Sequence, residues 1–76
     1  MLSYSAENIP VYNSVLIKDK YLLSIKEASE YFGVGEQKIR QLIIRNKNNN
    51  FTLEIGSHTK IKRRQFEKFL DNQVAI

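Results

Sequence analysis

The stretch SIKEASEYFGVGEQKIRQLI, residues 24–43, contains two runs of helical apolar spacing that are separated by Gly-Val-Gly. Glycine inside a helix costs about 1 kcal/mol relative to alanine, so two nearby glycines argue against one continuous helix. Ser24 and Glu27 have the spacing of a capping box, which predicts that a helix begins at about Ile25. Gly33 suits the left-handed position that ends such a helix.

A second helix is predicted from Glu36 to about Arg45, with Gly35 as its N-cap. The apolar residues of this helix that share one face are Ile39, Leu42 and Ile43. The glycines therefore form a corner between two short helices, with Val34 directed into the angle. This arrangement is a helix-turn-helix.

The chain after the second helix favours a loop, a β-hairpin and a third helix. Residues 46–50 lose all apolar periodicity, and Phe51, Leu53 and Ile55 alternate with Thr52 and Glu54 as in a strand. A turn is predicted at residues 56–58, and a basic return strand is predicted at residues 59–62. The predicted core face of the third helix consists of Phe66, Phe69 and Leu70, with Val74 one turn further along. Together these elements predict a small α+β winged helix-turn-helix over residues 21–76, preceded by an N-terminal arm over residues 1–20.

The positive charge lies in the second half of the chain. The 76 residues contain 12 Lys and Arg against 8 Asp and Glu, which gives a net charge of +4. Residues 34–68 contain nine basic and three acidic side chains, whereas residues 1–33 contain three and four. This asymmetry suits a polyanion-binding surface, although a solvated lysine-rich face would have the same composition.

Several segments together resemble one protein family. LLSIKEASEYFGVGEQKIRQLI, IKRRQFEKFLDN and an upstream IPVY are similar to the small excisionases of conjugative transposons and related integrative elements, within the wider MerR-like group of winged-helix domains. The resemblance covers residues 9–12 and 21–76. It implies a protein that binds double-stranded DNA near the attachment sites of a mobile element, bends it, and directs a tyrosine-type integrase toward excision.

The resemblance also implies which side chains contact DNA. Residues of the second helix that face away from the core would enter the major groove, and the hairpin would reach a minor groove or phosphates. The implied DNA-binding residues are Gln37, Lys38, Arg40, Gln41, Arg45, Ser57, His58, Thr59, Lys60, Lys62, Arg63 and Arg64.

Other interpretations of these residues stay open. Gln37 and Gln41 could be ordinary solvent-facing residues, and His58 a turn residue without chemistry. Arg63 and Arg64 could solubilise the third helix, but cations are disfavoured at a helix N-terminus, which favours a nearby phosphate. Ile44 lies near the outward face of the second helix, where it would touch a thymine methyl or mark a contact with the rest of the fold.

Composition argues against several functional classes. The chain has no cysteine and one histidine, so no zinc centre, other metal site or cofactor is expected. The sequence contains neither a glycine-rich phosphate loop nor a nucleophile–base pair, the features that would indicate an enzyme. No catalytic residue is predicted. No window approaches the roughly 20 apolar residues of a membrane span, and the N-terminus lacks a leader pattern, so we expect a cytoplasmic protein without a membrane partner.

Two other functions compete with the excisionase. A stand-alone winged-helix transcriptional regulator would have the same fold, and an adaptor could bind an acidic protein through the basic face. Two-fold regulators usually carry a dimerising helix, and here only six residues follow Leu70. We therefore expect a monomer in solution that can bind cooperatively along DNA.

Overall fold

Three α-helices and six short strands form the part of the chain that the structure describes. The computed structural model describes residues 3–4, 10–12 and 15–76. The strands are β1 (Ser3–Tyr4), β2 (Pro10–Tyr12), β3 (Val15–Leu16), β4 (Leu22–Leu23), β5 (Thr52–Ile55) and β6 (His58–Lys62). The helices are α1 (Ile25–Phe32), α2 (Glu36–Arg45) and α3 (Arg63–Asp71), and a 3-10 turn (Ile17–Asp19) follows β3. The fold is a small α+β winged helix-turn-helix, as predicted.

The helix-turn-helix forms where the glycines predict it. The Ser24 hydroxyl accepts a hydrogen bond of 3.0 Å from the Glu27 N–H, and the Glu27 carboxylate accepts one of 2.9 Å from the Ser24 N–H. Gly33 ends α1 with φ +70°, a left-handed conformation that costs glycine little. Gly35 precedes α2 as its N-cap, and Val34 packs against the core. The predicted capping box, corner and second helix are confirmed.

The wing belongs to a three-stranded antiparallel sheet of order β4-β6-β5. Across the β5–β6 hairpin Ile55 pairs with His58, so the turn contains Gly56 and Ser57 alone. The prediction that His58 lies in the turn is wrong, because Gly56 at φ +59° allows a two-residue connection. Strand β4 was not predicted; its Leu23 pairs with Ile61 of β6.

The two faces of this sheet differ. Ile61, in the centre of β6, is buried, and β4 places the buried Leu23 beside it. Leu53 and Ile55 lie opposite Lys60 and His58 and remain 39% and 47% exposed. The alternation that predicts a strand is therefore present, but of its three apolar residues only Phe51 is buried, while Leu53 and Ile55 lie on the outer face of the wing.

The core lies between the helices and this sheet. Its buried side chains are Ile17, Leu23, Ala28, Ile39, Leu42, Phe51, Ile61 and Phe66. Phe66 of α3 is central, because its ring centroid lies 5.1 Å from that of Phe32 and 4.9 Å from that of Phe51. Removing an aromatic ring from such a position typically costs about 3–5 kcal/mol. This core fixes the relative positions of α2 and the wing.

Val74 does not continue the core face of α3, because the helix ends at Asp71 and Val74 is fully exposed; that prediction is wrong. In the predicted arm, β1, β2 and β3 form a second antiparallel sheet, and Ile17 joins the core. Residues 1–2, 5–9 and 13–14, including Ile9 of IPVY, lie outside the described residues.

Candidate nucleic-acid interface

The face of α2 that points away from the core is rich in hydrogen-bond donors. Because an α-helix turns about 100° per residue, the buried Ile39 places Gln37 and Gln41 on the opposite side of the helix. The polar residues of this outer surface are Gln37, Lys38, Arg40, Gln41 and Arg45. All except Lys38, which is half-buried, are exposed. The arrangement predicted from the sequence is therefore present.

Most of these side chains are not engaged with the rest of the protein. Arg40 Nη2 lies 3.5 Å from Glu36 Oε1, and both side chains are more than 40% exposed. Such a surface ion pair is worth about 0–1 kcal/mol and is easily exchanged for another anion. Within residues 15–76, the other four polar side chains of this face form no hydrogen bond or ion pair. Their donors are available to a ligand.

The wing adds a second group of polar side chains. Ser57 and His58 at the tip are exposed, and Thr59 and Lys60 behind them are half-buried. The Thr59 hydroxyl donates to the carboxylate of Glu54, whose two oxygens lie 2.9 and 2.8 Å away. Thr59 therefore adds a side-chain contact to the backbone pairing of β5 and β6, in which Glu54 and Thr59 lie opposite each other. On the same strand Lys60 and Lys62 lie on the face opposite the buried Ile61, as predicted.

A shallow cleft joins α2 to the wing. It has a volume of about 270 Å³, and Arg40 of α2 and Thr59 of β6 both border it. The apolar part of its lining consists of Ile25, Ile43 and Ile44. The fold thus brings residues that are 19 positions apart in the sequence to one continuous surface.

The paired arginines at the start of α3 have different environments. Arg63 is half-buried: its Nε donates a hydrogen bond of 2.7 Å to the Lys20 carbonyl, and its guanidinium carbon lies 5.8 Å from the centroid of the Tyr31 ring. Its backbone N–H donates to the Tyr21 carbonyl at 2.8 Å. Arg64 is exposed and has no such partner among the described residues. Protein groups, rather than a phosphate, account for the position of Arg63.

A partly buried ion pair lies beside Arg63. Lys20 Nζ contacts Glu27 Oε2 at 2.8 Å, while the other oxygen of Glu27 belongs to the capping box. Partial burial acts to raise the pKa of Glu27, but the hydrogen bonds from Lys20 and from the Ser24 backbone lower it below its ordinary value. Glu27 is therefore ionised near neutral pH and joins residue 20 to the first turn of α1.

A second cleft lies at the C-terminal end of α2, and part of its border consists of loop residues that the sequence did not single out. This cleft has a volume of about 470 Å³ and lies between Arg45, the loop of residues 46–50 and Phe69. Asn49 holds the loop in place, because its Oδ1 accepts hydrogen bonds from the backbone of Phe51 and Thr52. Lys47 is exposed in this loop. The signal in the sequence that could have marked Lys47 as a candidate functional residue is its position two residues after Arg45, the basic end of α2.

The fold and this surface define a winged-helix DNA-binding protein, in which an exposed helix of a helix-turn-helix lies beside a basic hairpin. The family model described as excisionase from transposon Tn916 matches residues 3–76. A relative named excisionase from transposon Tn916, from Streptococcus agalactiae serotype V, is 48% identical over 60 residues, which are 79% of this chain and 90% of the relative. The chain belongs to the Tn916 excisionase family.

Members of this family are DNA-binding accessory factors of integrase-mediated excision and are not enzymes. Family membership thus agrees with the interpretation of the sequence as non-enzymatic. In the part of the chain that the structure describes, no helix is long and apolar enough to cross a membrane. Nor does that part bring together three His, Asp or Glu side chains that could hold a metal ion.

Proposed function

We propose that this chain is an excisionase that binds duplex DNA near the attachment sites of a mobile element, bends it, and directs a tyrosine-type integrase toward excision. The observation that carries the proposal is the continuous surface of α2 and the wing in a chain that belongs to the Tn916 excisionase family. The protein would contribute binding and distortion of DNA, while the integrase would perform the covalent chemistry.

In this proposal α2 enters the major groove. Glutamine and arginine side chains can bind base edges in pairs of hydrogen bonds, and the donors of Gln37, Arg40 and Gln41 face outward. Lys38 and Arg45 lie at the flanks of the same face, where they would contact phosphates. In this arrangement, one group of α2 side chains would recognise bases and another would bind the phosphate backbone of the DNA.

The wing provides the second anchor on the duplex. Ser57, His58 and Lys60 would reach the adjacent minor groove or its phosphates, with Thr59 holding the hairpin in shape. Lys62 and Arg64 would add contacts to the backbone. Arg63 has the weakest claim to a direct contact, because the Lys20 carbonyl and the Tyr31 ring already surround its guanidinium.

We further propose that residues 21–76 are the DNA-binding unit and residues 1–20 an added arm, and that the protein is a cytoplasmic monomer that assembles cooperatively on repeated sites. No cofactor is required for this role. Five to seven phosphate contacts would give a log–log slope of affinity against salt of about −4 to −6. A flat salt response would contradict duplex binding through these cations.

The direct test is recombination. The protein is supplied in trans with the integrase encoded beside it, and excision and integration of a marked element are scored separately. We expect excision to rise and integration to fall, and the Arg40→Ala/Gln41→Ala double variant to lose both effects. Lys26→Ala, on the exposed side of α1, is the matched control and should behave as wild type.

The same experiment separates the excisionase from a stand-alone regulator. If the protein changes transcription from a nearby promoter but leaves the ratio of excision to integration unchanged, the regulator is the better assignment. If the protein binds the integrase but does not bind duplex DNA, an adaptor is the better assignment.

A further inference from the structure

Ile44 is the one residue of α2 whose large aliphatic side chain is left in solvent. Ile39 and Leu42 are buried and Ile43 packs against the core, whereas Ile44 is 67% exposed. At about 100° per residue Ile44 lies about 140° from Ile39, close to the centre of the outer face. Ile44 is therefore not part of the packed core, which favours the other role that the sequence left open, a contact with a thymine methyl.

The surroundings of Ile44 make it a ridge rather than part of a flat surface. It borders the cleft toward the wing, together with Arg40 and Thr59, and also the cleft toward residues 46–50 and Phe69. A molecule that covers α2 and the wing together must therefore contact this side chain.

The chemistry around Ile44 favours DNA over protein as that molecule. A protein-binding patch is normally depleted of lysine and contains several adjacent apolar side chains. On the outer face of α2 itself, Ile44 is the one apolar side chain among glutamine, lysine and arginine, and its apolar neighbours in the cleft, Ile25 and Ile43, are half-buried. The major groove has the matching surface, because its base edges display hydrogen-bonding groups and one apolar group, the thymine methyl.

We infer that Ile44 is a specificity-determining residue that contacts the 5-methyl group of a thymine in the major groove. This inference rests on the proposed function, because it requires that α2 enters the groove. It assigns to Ile44 a role beside those of Gln37 and Arg40, which lie about 20° and 40° away around the helix. The aliphatic contact would select thymine over cytosine, which lacks the methyl group.

The test removes the methyl group from the DNA and the side chain from the protein. Duplexes are first enriched from a random pool with the full-length wild-type chain, and each thymine of the enriched site is then replaced singly by deoxyuridine. Affinities of wild type and Ile44→Ala are measured for every duplex. Alanine favours helix and Ile44 is exposed, so the variant should keep its fold, which circular dichroism checks.

We expect deoxyuridine at one or two adjacent positions to weaken wild-type binding about fourfold, the effect of one buried methyl group. At those positions Ile44→Ala should lose nothing further, while Lys26→Ala should respond as wild type. Equal sensitivity of wild type and Ile44→Ala at every thymine would overturn the inference, as would an insensitive wild type. Failure to enrich any duplex would overturn the proposed function itself and this inference with it.

Discussion

The guanidinium of Arg63, at the first position of α3, donates a hydrogen bond of 2.7 Å to the backbone carbonyl of Lys20, 43 residues earlier in the chain. The bond joins the end of the N-terminal arm to the start of the last helix. It also removes Arg63 from the set of freely accessible cations and leaves Arg64 as the exposed member of the pair.

We expect Arg63→Ala to lower the free energy of unfolding by about 1–3 kcal/mol, because the Lys20 carbonyl loses its charged donor. In a domain of this size each 1 kcal/mol lowers the melting temperature by about 4–8 °C. Thermal unfolding provides the measurement. Arg64→Ala is the matched control and should change stability by less than about 0.5 kcal/mol. Equal stability of the two variants would show that the Arg63–Lys20 bond contributes nothing.

On α2, Gln41→Ala and Arg40→Ala should reduce the discrimination between a specific and a random duplex by about 1–3 kcal/mol each, because base-edge hydrogen bonds are lost. Lys62→Ala should weaken binding to both duplexes alike and lower the salt slope by about 0.9. Titrations at several salt concentrations measure both quantities. A uniform loss from all three variants would reduce α2 to a phosphate-binding helix.

At the wing, the double variant His58→Ala/Lys60→Ala should melt within a few degrees of wild type, because neither side chain belongs to the core. Its DNA affinity should fall while its preference at the bases contacted by α2 persists. The mobility of circularly permuted DNA fragments should also show a smaller bend, since one of two anchors is weakened.

Thr59→Ala complements this test, because it removes the hydroxyl that holds the Glu54 carboxylate across the hairpin. It should weaken binding through a looser wing rather than through a lost charge, so its salt slope should stay at the wild-type value. A folded His58→Ala/Lys60→Ala protein with unaltered affinity and bending would make the wing purely structural.

The pKa of Glu27 predicts a pH dependence of stability. Because its folded-state pKa lies below the ordinary 4.5, the ionised carboxylate contributes stability that is complete above that value and is lost as the pH falls through the folded-state pKa. Glu27→Gln should therefore be less stable than wild type at pH 7, by about 0.5–1 kcal/mol, and this difference should shrink as the pH falls below 4.5 and through the folded-state pKa of Glu27. Urea denaturation from pH 3 to pH 7 measures this, and a constant difference would contradict it.

The features that could be predicted from the sequence are those with local causes. The hydroxyl of Ser24 and the carboxylate of Glu27 lie within one helical turn, and the left-handed conformation of Gly33 needs no distant partner. The same holds for the outer face of α2, because helical rotation alone places Gln37 and Gln41 opposite Ile39.

The features that could not be predicted depend on contacts between distant segments. Strand β4 has two residues, too few for an alternating pattern, and exists because Leu23 pairs with Ile61. Arg63 has the positive charge of a DNA-binding residue, and its structural role becomes visible only in its hydrogen bond to the Lys20 carbonyl. Val74 has the spacing of a core residue, but the helix that would have carried it inward ends at Asp71.

Strand β6 passes into α3 without a connecting residue, since Lys62 ends the strand and Arg63 begins the helix. Hydrogen bonds of 2.7 and 2.8 Å, from the Lys62 N–H to the Phe51 carbonyl and from the Arg63 N–H to the Tyr21 carbonyl, hold this junction on both sides. One inserted residue here would rotate α3 by about 100° and turn Phe66 out of the core. Insertions and deletions in the evolution of such chains should therefore accumulate at the hairpin tip and spare the junction, so that the wing can change its reach while its root keeps a fixed length.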